Sequence, residues 1–463
     1  MNRFAYILCW VILITPSIPI LAQELSLEEF VSMVMTNHPI AQQSSLLDQQ
    51  AQRVLQKAKG SFDPNLYSSY DQKQYNDVNY YQRFDGGIMI PTWYGITVKS
   101  GYERALGVYL NPEEILPEAG LWFAGISVPL ARGLVMDQRR TALKQAKIYA
   151  ESTEQERRVL LNNLLYDAKL TYLNWVQTAA LKNIADAVTI VAERRLEGVK
   201  QRIEQGDAPA IDSIDARAQI INFKLQQTQA RLSYKKQLLE LSNFLWTKEL
   251  IPLEASDLMQ PATVSGFIIN DPYNADSIVN LVEGLATAHP DIILYQYRLA
   301  HLEVERKNKM EQLKPRLDIN YNFLNESFGE LGAYSFNDFK IGIQFEMPIF
   351  ARRERAEVKL NVIRQLDTEY AAQQKLLELQ NKLRQHAIAK EYLSTQREQM
   401  AKMVMAYTTL LNGEQARFDV GESSVFTVNL RESKLLNAQV KQVDIAMEYY
   451  RELIHLEWVA AML

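Results

Sequence analysis

Two short stretches, "RIEQGDAPAID" at 202–212 and "RFDVGESSVFT" at 417–427, share one pattern at a distance of 215 residues. In each, a glycine follows a long run without proline. Glycine supplies the positive φ that ends a helix, while Pro209 in one copy and Ser423 with Ser424 in the other suit the start of a new helix. The pattern therefore predicts two helix-turn-helix tips. The shared positions are Arg202 and Arg417, Gly206 and Gly421, Asp207 and Glu422, and Ile211 and Phe426.

The tips belong to a longer internal duplication. "SLEEFVSMVMTNHPIAQQ" (26–43) resembles "SIVNLVEGLATAHPDIIL" (277–294) at an offset of 251 residues, whereas landmarks nearer the tips are 215 apart. The first half therefore carries 36 additional residues, most of them between Pro64 and "SVPL" at 127–130. A duplicated sequence predicts duplicated structural units. We place a first repeat at 23–246, with strands at about 65–130 and a tip at about 204–212; a connecting segment at 247–276; and a second repeat at 277–463, with strands at about 316–349 and a tip at about 419–427.

Strand patterns occupy one segment of each half. Apolar residues alternate with polar ones in the second half, which is the period of a strand with two unlike faces. The extra residues of the first half include "GGIMIPTWYGITVKSGYERA" (86–105), which is either an additional strand pair or a large extracellular loop. An ordinary sheet covering a helical core also fits the strands alone. The alternating apolar positions are Trp122, Ala124, Ile126 and Val128, then Leu317, Ile319, Tyr321 and Phe323, then Ile341, Ile343, Phe345 and Met347.

The rest of the chain has the pattern of long helices. Residues 140–205 and 355–420 are two runs of 66 residues without proline, and each would reach about 100 Å as a helix. The helices that follow the tips share apolar 4-3 spacing, the interval of coiled-coil packing. The matched positions are Ile214, Ala218, Ile221, Leu225, Thr228 and Leu232 in the first copy, and Asn429, Ser433, Leu436, Val440, Val443 and Met447 in the second.

The first 22 residues differ from the rest. Arg3 precedes the apolar run "FAYILCWVILI", and Ala22 provides a small residue suited to cleavage, so we interpret 1–22 as a secretory signal peptide. An uncleaved anchor is the alternative. Cys9, the single cysteine, lies inside this segment, so the mature chain is expected to have no disulfide and no cysteine metal site. The net charge of −5 disfavours a nucleic-acid partner.

In order, these landmarks resemble the TolC-like outer-membrane efflux proteins. The resemblance rests on the signal peptide, "NHP" and "AHP", "ISVPLARG", "QFEMPIFARRERAEV" and the paired tips. It implies a mixed α and β subunit of a homotrimer, with four strands per subunit in one 12-stranded β-barrel continuous with a long periplasmic α-helical barrel. The barrel would contact outer-membrane lipid of a Gram-negative cell. The six tips of the trimer would meet a periplasmic adaptor that is tied to an inner-membrane pump.

The resemblance also implies functional positions at the tips. The candidate adaptor-docking residues are Arg202, Gly206, Asp207, Arg417, Gly421 and Glu422. In the best-known members an acidic ring comes from the second tip, where this chain has Thr427 and Leu430. Asp212 and Asp215 of the first tip, three residues apart and so on one helical face, are the candidate entrance gate. Alternatively, Asp212 only favours the helix N-terminus and Asp215 faces solvent.

The sequence contains few motifs that are typical of catalytic or ligand-binding sites. There is no phosphate-binding glycine motif, and the five histidines lack metal-ligand spacing, so we expect no enzyme, no cofactor and no metal. His38 and His289, each before a proline, are interpreted as structural. The leading hypothesis is a passive export conduit of a tripartite efflux or type I secretion system. The alternative is a periplasmic or secreted coiled-coil scaffold without channel activity.

Overall fold

A computed structural model describes residues 24–206, 209–256, 259–264, 271–327 and 337–463. The signal peptide expected at 1–22 and the candidate docking residue Asp207 lie outside these residues. The described part is mainly helical, with one large sheet. No described helix is long and apolar enough to cross a membrane.

In the described part of the chain eight α-helices follow one another, and two of them are the long helices that the sequence predicts. They contain 67 and 68 residues and each ends at a tip. The described helices are α1 (Leu27–Asn37), α2 (Pro39–Lys59), α3 (Gln138–Glu204), α4 (Ile211–Ser242), α5 (Ala275–Ala288), α6 (Pro290–Glu311), α7 (Arg352–Asp419) and α8 (Val425–Val459).

Among the residues that the structure describes, eight strands form two sheets. The strands are β1 (Glu24–Leu25), β2 (Asn65–Tyr75), β3 (Val78–Pro91), β4 (Thr97–Leu106), β5 (Leu121–Pro129), β6 (Gln260–Pro261), β7 (Arg316–Asn325) and β8 (Phe339–Glu346). The short β1 and β6 pair in parallel. The other six form an antiparallel sheet in the order β2-β3-β4-β5-β7-β8, so β5 of the first half is joined directly to β7 of the second.

The large sheet has six strands, whereas the resemblance implies four. The additional pair is β3 and β4, and β4 begins at Thr97 within the segment whose alternation left strand and loop both open. The short turn that joins them, residues 92–96, includes Gly95 at φ 87° and is closed by a hydrogen bond from the Thr92 amide to the Ile96 carbonyl. The 36 extra residues of the first half thus contribute a hairpin that extends the sheet by two strands.

The two faces of this sheet differ in polarity. Strand pairing places Ile126 opposite Tyr321 and Tyr321 opposite Ile341, and because side chains alternate along a strand these residues share one face. The opposite face carries polar residues such as Asn320, Asn322 and Lys340. On the edge strand β8 all eight residues are exposed. The apolar face consists of Leu66, Tyr70, Phe84, Ile88, Ile90, Val98, Tyr102, Trp122, Ile126, Val128, Ile319, Tyr321, Phe323, Phe339, Ile341, Ile343 and Phe345.

The chain divides into two compact units, each with segments of both sequence halves. The first contains residues 24–41, 164–272 and 386–456, apart from the positions left undescribed. In its core Phe30 packs against Tyr172, with ring centroids 5.5 Å apart, and the Tyr172 hydroxyl donates to the Leu25 carbonyl at 2.6 Å. Burial raises the pKa of Tyr172 to about 12, which keeps this hydroxyl a hydrogen-bond donor.

The second unit contains the large sheet, with residues 42–163, 273–385 and 457–463 apart from undescribed positions. Phe62 lies in a cluster with Ala58, Leu143 and Ala146, and its ring stacks on Trp93 of the β3–β4 turn at 4.3 Å. His289 begins α6: its Nδ1 accepts from the Asp291 amide at 3.2 Å. Burial lowers the pKa of His289, so the neutral imidazole acts as this cap.

Candidate functional site at the tips and helix seams

The second tip is closed by backbone hydrogen bonds. Gly421 has a φ of 82°, the Glu422 amide donates to the Arg417 carbonyl at 2.8 Å, and the Gly421 amide donates to the Phe418 carbonyl at 3.0 Å. This pair of bonds is the Schellman motif, in which a glycine ends a helix. Ser424 then accepts from the Thr427 amide at 3.2 Å and caps α8. The glycine and serine of "VGESSVF" therefore act as the sequence predicts.

The first tip has the same glycine geometry but a different helix start. Gly206 has a φ of 80°, and its amide donates to the Ile203 carbonyl at 3.0 Å. Helix α4 begins after Ala210, whose side chain provides no cap. A Cβ added to either glycine would meet no atom within 4 Å. Glycine is required at both tips by the backbone angle and not by lack of space.

The two tips pack on each other. Val199, Ala216 and Val425 form one buried cluster, which joins α3, α4 and α8. The guanidinium of Arg202 lies 4.7 Å from the centroid of the Phe418 ring. Arg417, its counterpart in the repeat, instead donates to the Glu422 carbonyl at 3.3 Å. The equivalent arginines therefore have different contacts. The helices that carry the two tips are in direct contact with each other.

A buried polar network lies behind the tips. Arg195 forms a bidentate ion pair with Glu432 at 2.6 and 2.8 Å, and these side chains are only 9% and 6% exposed. Arg195 also donates to the Asn429 Oδ1 at 2.9 Å, and the Asn429 Nδ2 donates to Asp215 at 3.2 Å. One candidate gate residue thus takes part in a network within the chain. Sequence reasoning missed this network because each of its hydrogen bonds joins residues more than 200 positions apart.

Asp212, the other candidate gate residue, lies in the first turn of α4. Its amide donates to the Pro209 carbonyl at 3.1 Å. A carboxylate here interacts favourably with the helix N-terminus. Asp212 and Asp215 share one helical face as the spacing predicts, yet their surroundings differ.

We call the face of α8 formed by Asn429, Ser433, Leu436, Val440, Val443 and Met447 the covered seam. Four of these residues are buried: Asn429, Leu436, Val443 and Met447. Leu436 belongs to a cluster with Ala192, Ile220 and Phe223, and Val188, Leu196 and Val440 pack against that cluster. The covered seam is therefore buried within one chain, by residues of α3 and of the buried side of α4.

We call the matching face of α4 the open seam. It continues the same 4-3 spacing, but its large apolar members are between 55% and 64% exposed. The opposite side of α4 is buried against its own chain through residues such as Phe223 and Leu238. The exposed face of α4 is therefore a long apolar stripe, and exposed apolar patches of this kind mark interfaces. The exposed members are Ile211, Ile214, Ile221, Leu225, Leu232 and Leu239.

A third feature was also missed from the sequence. His386 on α7 and His455 on α8 are stacked, with ring centroids 4.5 Å apart, and Glu452 lies beside them. The spacing of the histidines in the sequence predicts no metal site, but helix pairing brings these two together. The signal present in the sequence was the i, i+3 pair Glu452 and His455, which lies on one helical face.

No family model matches this sequence, and no curated protein matches it. The fold, in contrast, is similar to solved outer-membrane channels. The CmeC outer membrane channel of Campylobacter jejuni matches with a TM-score of 0.67 at 15% identity, over 94% of this chain and 85% of that one. The outer membrane protein VceC of Vibrio cholerae matches with a TM-score of 0.68 at 13% identity, over 94% of this chain and 96% of that one. The open state of the MtrE outer membrane channel of Neisseria gonorrhoeae matches with a TM-score of 0.65 at 14% identity, over 94% and 88%.

These likenesses extend over nearly the whole chain. They show that it has the fold of the outer-membrane channels, which confirms the predicted mixed α and β class and the predicted resemblance at the level of fold.

Proposed function

We propose that this protein is the outer-membrane subunit of a tripartite efflux or type I secretion system, and that it is a passive conduit from the periplasm to the exterior. The single observation that carries the proposal is the open seam. Helix α4 presents the apolar register that α8 buries, at the same distance from the same kind of tip. Such a face needs a partner, and the repeat indicates which one.

The partner is a second copy of this chain. Within one chain, the covered seam packs on α3 beside Val188, Ala192 and Leu196. The positions 215 residues later are Met403, Tyr407 and Leu411 on α7. If the repeats are packed alike, the open seam of one copy lies on α7 of the next. Head-to-tail contacts of this kind form a ring when the rotation between copies closes, and the family resemblance of the sequence implies three copies.

The sheet supports the same assembly. Among the described strands, β2 and β8 each have a neighbour on one side only, so both edges offer unpaired backbone groups. Pairing β8 of one copy with β2 of the next would close the sheet. Three copies of a six-stranded sheet would give a barrel of eighteen strands. Because barrel diameter grows with strand number, this barrel would be wider than the expected 12-stranded one.

The polarity of the sheet fits an outer-membrane location. Its apolar face would contact lipid, and its polar face would line a water-filled interior. Closure of the sheet satisfies every backbone group without water, which lipid requires. A periplasmic scaffold has no use for an exposed apolar sheet face, so the scaffold alternative is less consistent with the exposure of β8.

The tips are the proposed docking surface for a periplasmic adaptor, which is itself tied to an inner-membrane pump. Arg202, Gly206, Asp207, Arg417, Gly421 and Glu422 are the proposed contacts, and Asp212 with Asp215 remains the proposed entrance gate. The pump would supply the energy, since the sequence offers no nucleotide-binding motif. No covalent chemistry, cofactor or nucleic acid takes part in this proposal.

Purification of the full chain from the cell envelope tests the proposal. We expect the protein in the outer-membrane fraction, a trimer by native mass spectrometry in detergent, and discrete conductance steps in planar bilayers. Cryo-electron microscopy of the trimer would count its strands. A monomer recovered from the soluble periplasm and silent in bilayers would contradict the conduit and favour the scaffold.

A further inference from the structure

A cluster of two imidazoles and one carboxylate lies between the two long second-half helices, in a part of the molecule that the conduit proposal does not use. His386 belongs to α7, and Glu452 and His455 belong to α8. One ligand atom from each of the three residues lies within 4.8 Å of the others. His386 and Glu452 are largely buried, with side chains 16% and 11% exposed. The three side chains are therefore gathered at one place in a packed helix pair.

The hydrogen bonds hold the cluster in a defined arrangement. The His386 Nδ1 and the Glu452 Oε2 are 2.6 Å apart, and the Tyr166 hydroxyl lies 3.0 Å from the His455 Nδ1. The bond from Tyr166 occupies the His455 Nδ1 and leaves the Nε2 of that ring available to a ligand. An ion held by His386 and Glu452 would instead take the place of the hydrogen bond between the His386 Nδ1 and the Glu452 Oε2. A metal-bound histidine commonly has its other nitrogen hydrogen-bonded, since that bond fixes the ring orientation.

The neighbouring positive charge on α8 is directed to other partners. Arg451, the nearest guanidinium on the same helix, is engaged elsewhere: it donates to Asn174 at 3.1 Å and to Gln177 at 3.3 Å.

The ligand set selects a class of cation. Imidazole nitrogen suits Zn²⁺, Cu²⁺ and Ni²⁺, whereas Ca²⁺ and Mg²⁺ prefer sites built of oxygen, and soft ions prefer thiolate. A Glu-x-x-His pair on one helix with a ligand from a facing helix is a common way to build a metal site in a bundle. Two ligand atoms of one tetrahedral zinc lie roughly 3.3 Å apart, so binding would draw these ligand atoms, now within 4.8 Å of one another, together by up to roughly 1.5 Å.

We propose that His386, Glu452 and His455 bind a divalent transition-metal ion, with Tyr166 orienting His455. The ion would clamp α7 to α8 within the unit that carries the tips. This site is independent of the conduit proposal, because it lies within one chain and needs neither membrane nor adaptor.

The test is metal binding by the full-length protein, purified without a histidine tag and stripped with a chelator. Equilibrium dialysis against Zn²⁺ or Co²⁺ should give one ion per chain. His386→Gln and His455→Gln should each weaken binding at least about tenfold, and Tyr166→Phe should weaken it less without changing the stoichiometry, as expected for an outer-shell partner. His301→Gln is the matched control, since His301 is an exposed histidine of α6, and it should bind like the wild type.

Unchanged binding by the His386→Gln, His455→Gln double variant would overturn the proposal, because the ion would then be held elsewhere. If a variant does not fold, the wild type alone decides. Its Co²⁺ form should show the visible absorption of a four-coordinate nitrogen and oxygen site, and a spectrum of hydrated Co²⁺ would also overturn the proposal. The proposal would also be overturned if the purified protein bound no ion at micromolar free Zn²⁺.

Discussion

The covered seam and the open seam have the same spacing and opposite surroundings. Leu436 of α8 is 5% exposed, whereas its counterpart in α4, Ile221, is 64% exposed. A heptad pattern predicts that a helix face will be buried against another helix. It does not predict whether that helix belongs to the same chain or to a second copy. The comparison teaches that one seam completes the subunit, while the other is left exposed for the assembly that we propose.

The two seams also differ in polarity near the tips. In the covered seam Arg195 is paired with Glu432 and Asn429. The counterparts of Glu432 and Asn429 on α4 are Arg217 and Ile214, and the counterpart of Arg195 is Leu410 on α7. Leu410 and Ile214 are exposed apolar residues. A buried ion pair can fix the register of two helices. At the proposed interface of the open seam these positions offer apolar contact instead, which suits an interface formed after the subunit has folded.

The largest effect should come from charges placed in the seams. Ile221→Glu with Leu225→Glu should leave a folded subunit and abolish the trimer, because the two glutamates would be buried only on association. Leu436→Glu in the covered seam should instead prevent accumulation of the subunit, since an unpaired buried charge costs several kcal/mol. Native mass spectrometry and circular dichroism separate the two outcomes. Equal behaviour of the two variants would remove the distinction between the seams.

A smaller effect is expected from the ion pair of the covered seam. Glu432→Gln leaves the Arg195 charge buried without its partner, which should cost about 3–5 kcal/mol of stability. Replacing both residues, Arg195→Met with Glu432→Leu, should recover most of that loss because neither charge remains. Thermal unfolding followed by circular dichroism measures both. A single variant as stable as the wild type would show that the pair contributes nothing at this depth.

The tips should respond in function more than in stability. Gly206→Val or Gly421→Val forces a β-branched residue to a φ near 80°, at a local cost of about 1–3 kcal/mol. Export should fall while protein levels stay near normal, because the long hairpins keep their packing. Gly413→Ala is the control, since Gly413 lies inside α7 and is not among the glycines with positive φ. Normal export by both valine variants would argue against docking at the tips.

The smallest effect concerns the proposed gate. Asp212→Asn with Asp215→Asn should weaken cation preference and block by multivalent cations from the periplasmic side, measured in planar bilayers. If Asp212 serves only the helix N-terminus, the loss should be limited to about 0.3–1 kcal/mol of stability. Unchanged cation selectivity and unchanged block would then contradict the proposal that Asp212 and Asp215 form a gate. The Asp215 contact with Asn429 makes Asp212 the more informative single variant.

The sequence contains most of the fold and only part of the site. Both tips, both long helices and the shared register were predictable, because glycine and 4-3 spacing act locally. The number of strands was not: "GITVK" alternates like a strand, but only pairing with β3 and β5 decides between strand and loop. Long-range contacts were hidden for the same reason. Nothing near His386 in the sequence indicates that α8 brings His455 onto its ring.

Cross-linking through introduced cysteines tests the central claim most directly, since the sequence has no cysteine beyond Cys9. Ile221→Cys with Tyr407→Cys places one thiol on the open seam and one on its proposed partner, α7 of the neighbouring copy. The covered-seam control is Ala192→Cys with Leu436→Cys, because Ala192 and Leu436 lie in one buried cluster.

We predict that oxidation in the membrane converts the Ile221→Cys, Tyr407→Cys variant into a covalent trimer on denaturing gels. Each single variant should remain monomeric, and the covered-seam pair should close a disulfide within one chain. An Ile221→Cys, Tyr407→Cys variant that stays monomeric under conditions where the control pair oxidises would contradict the account.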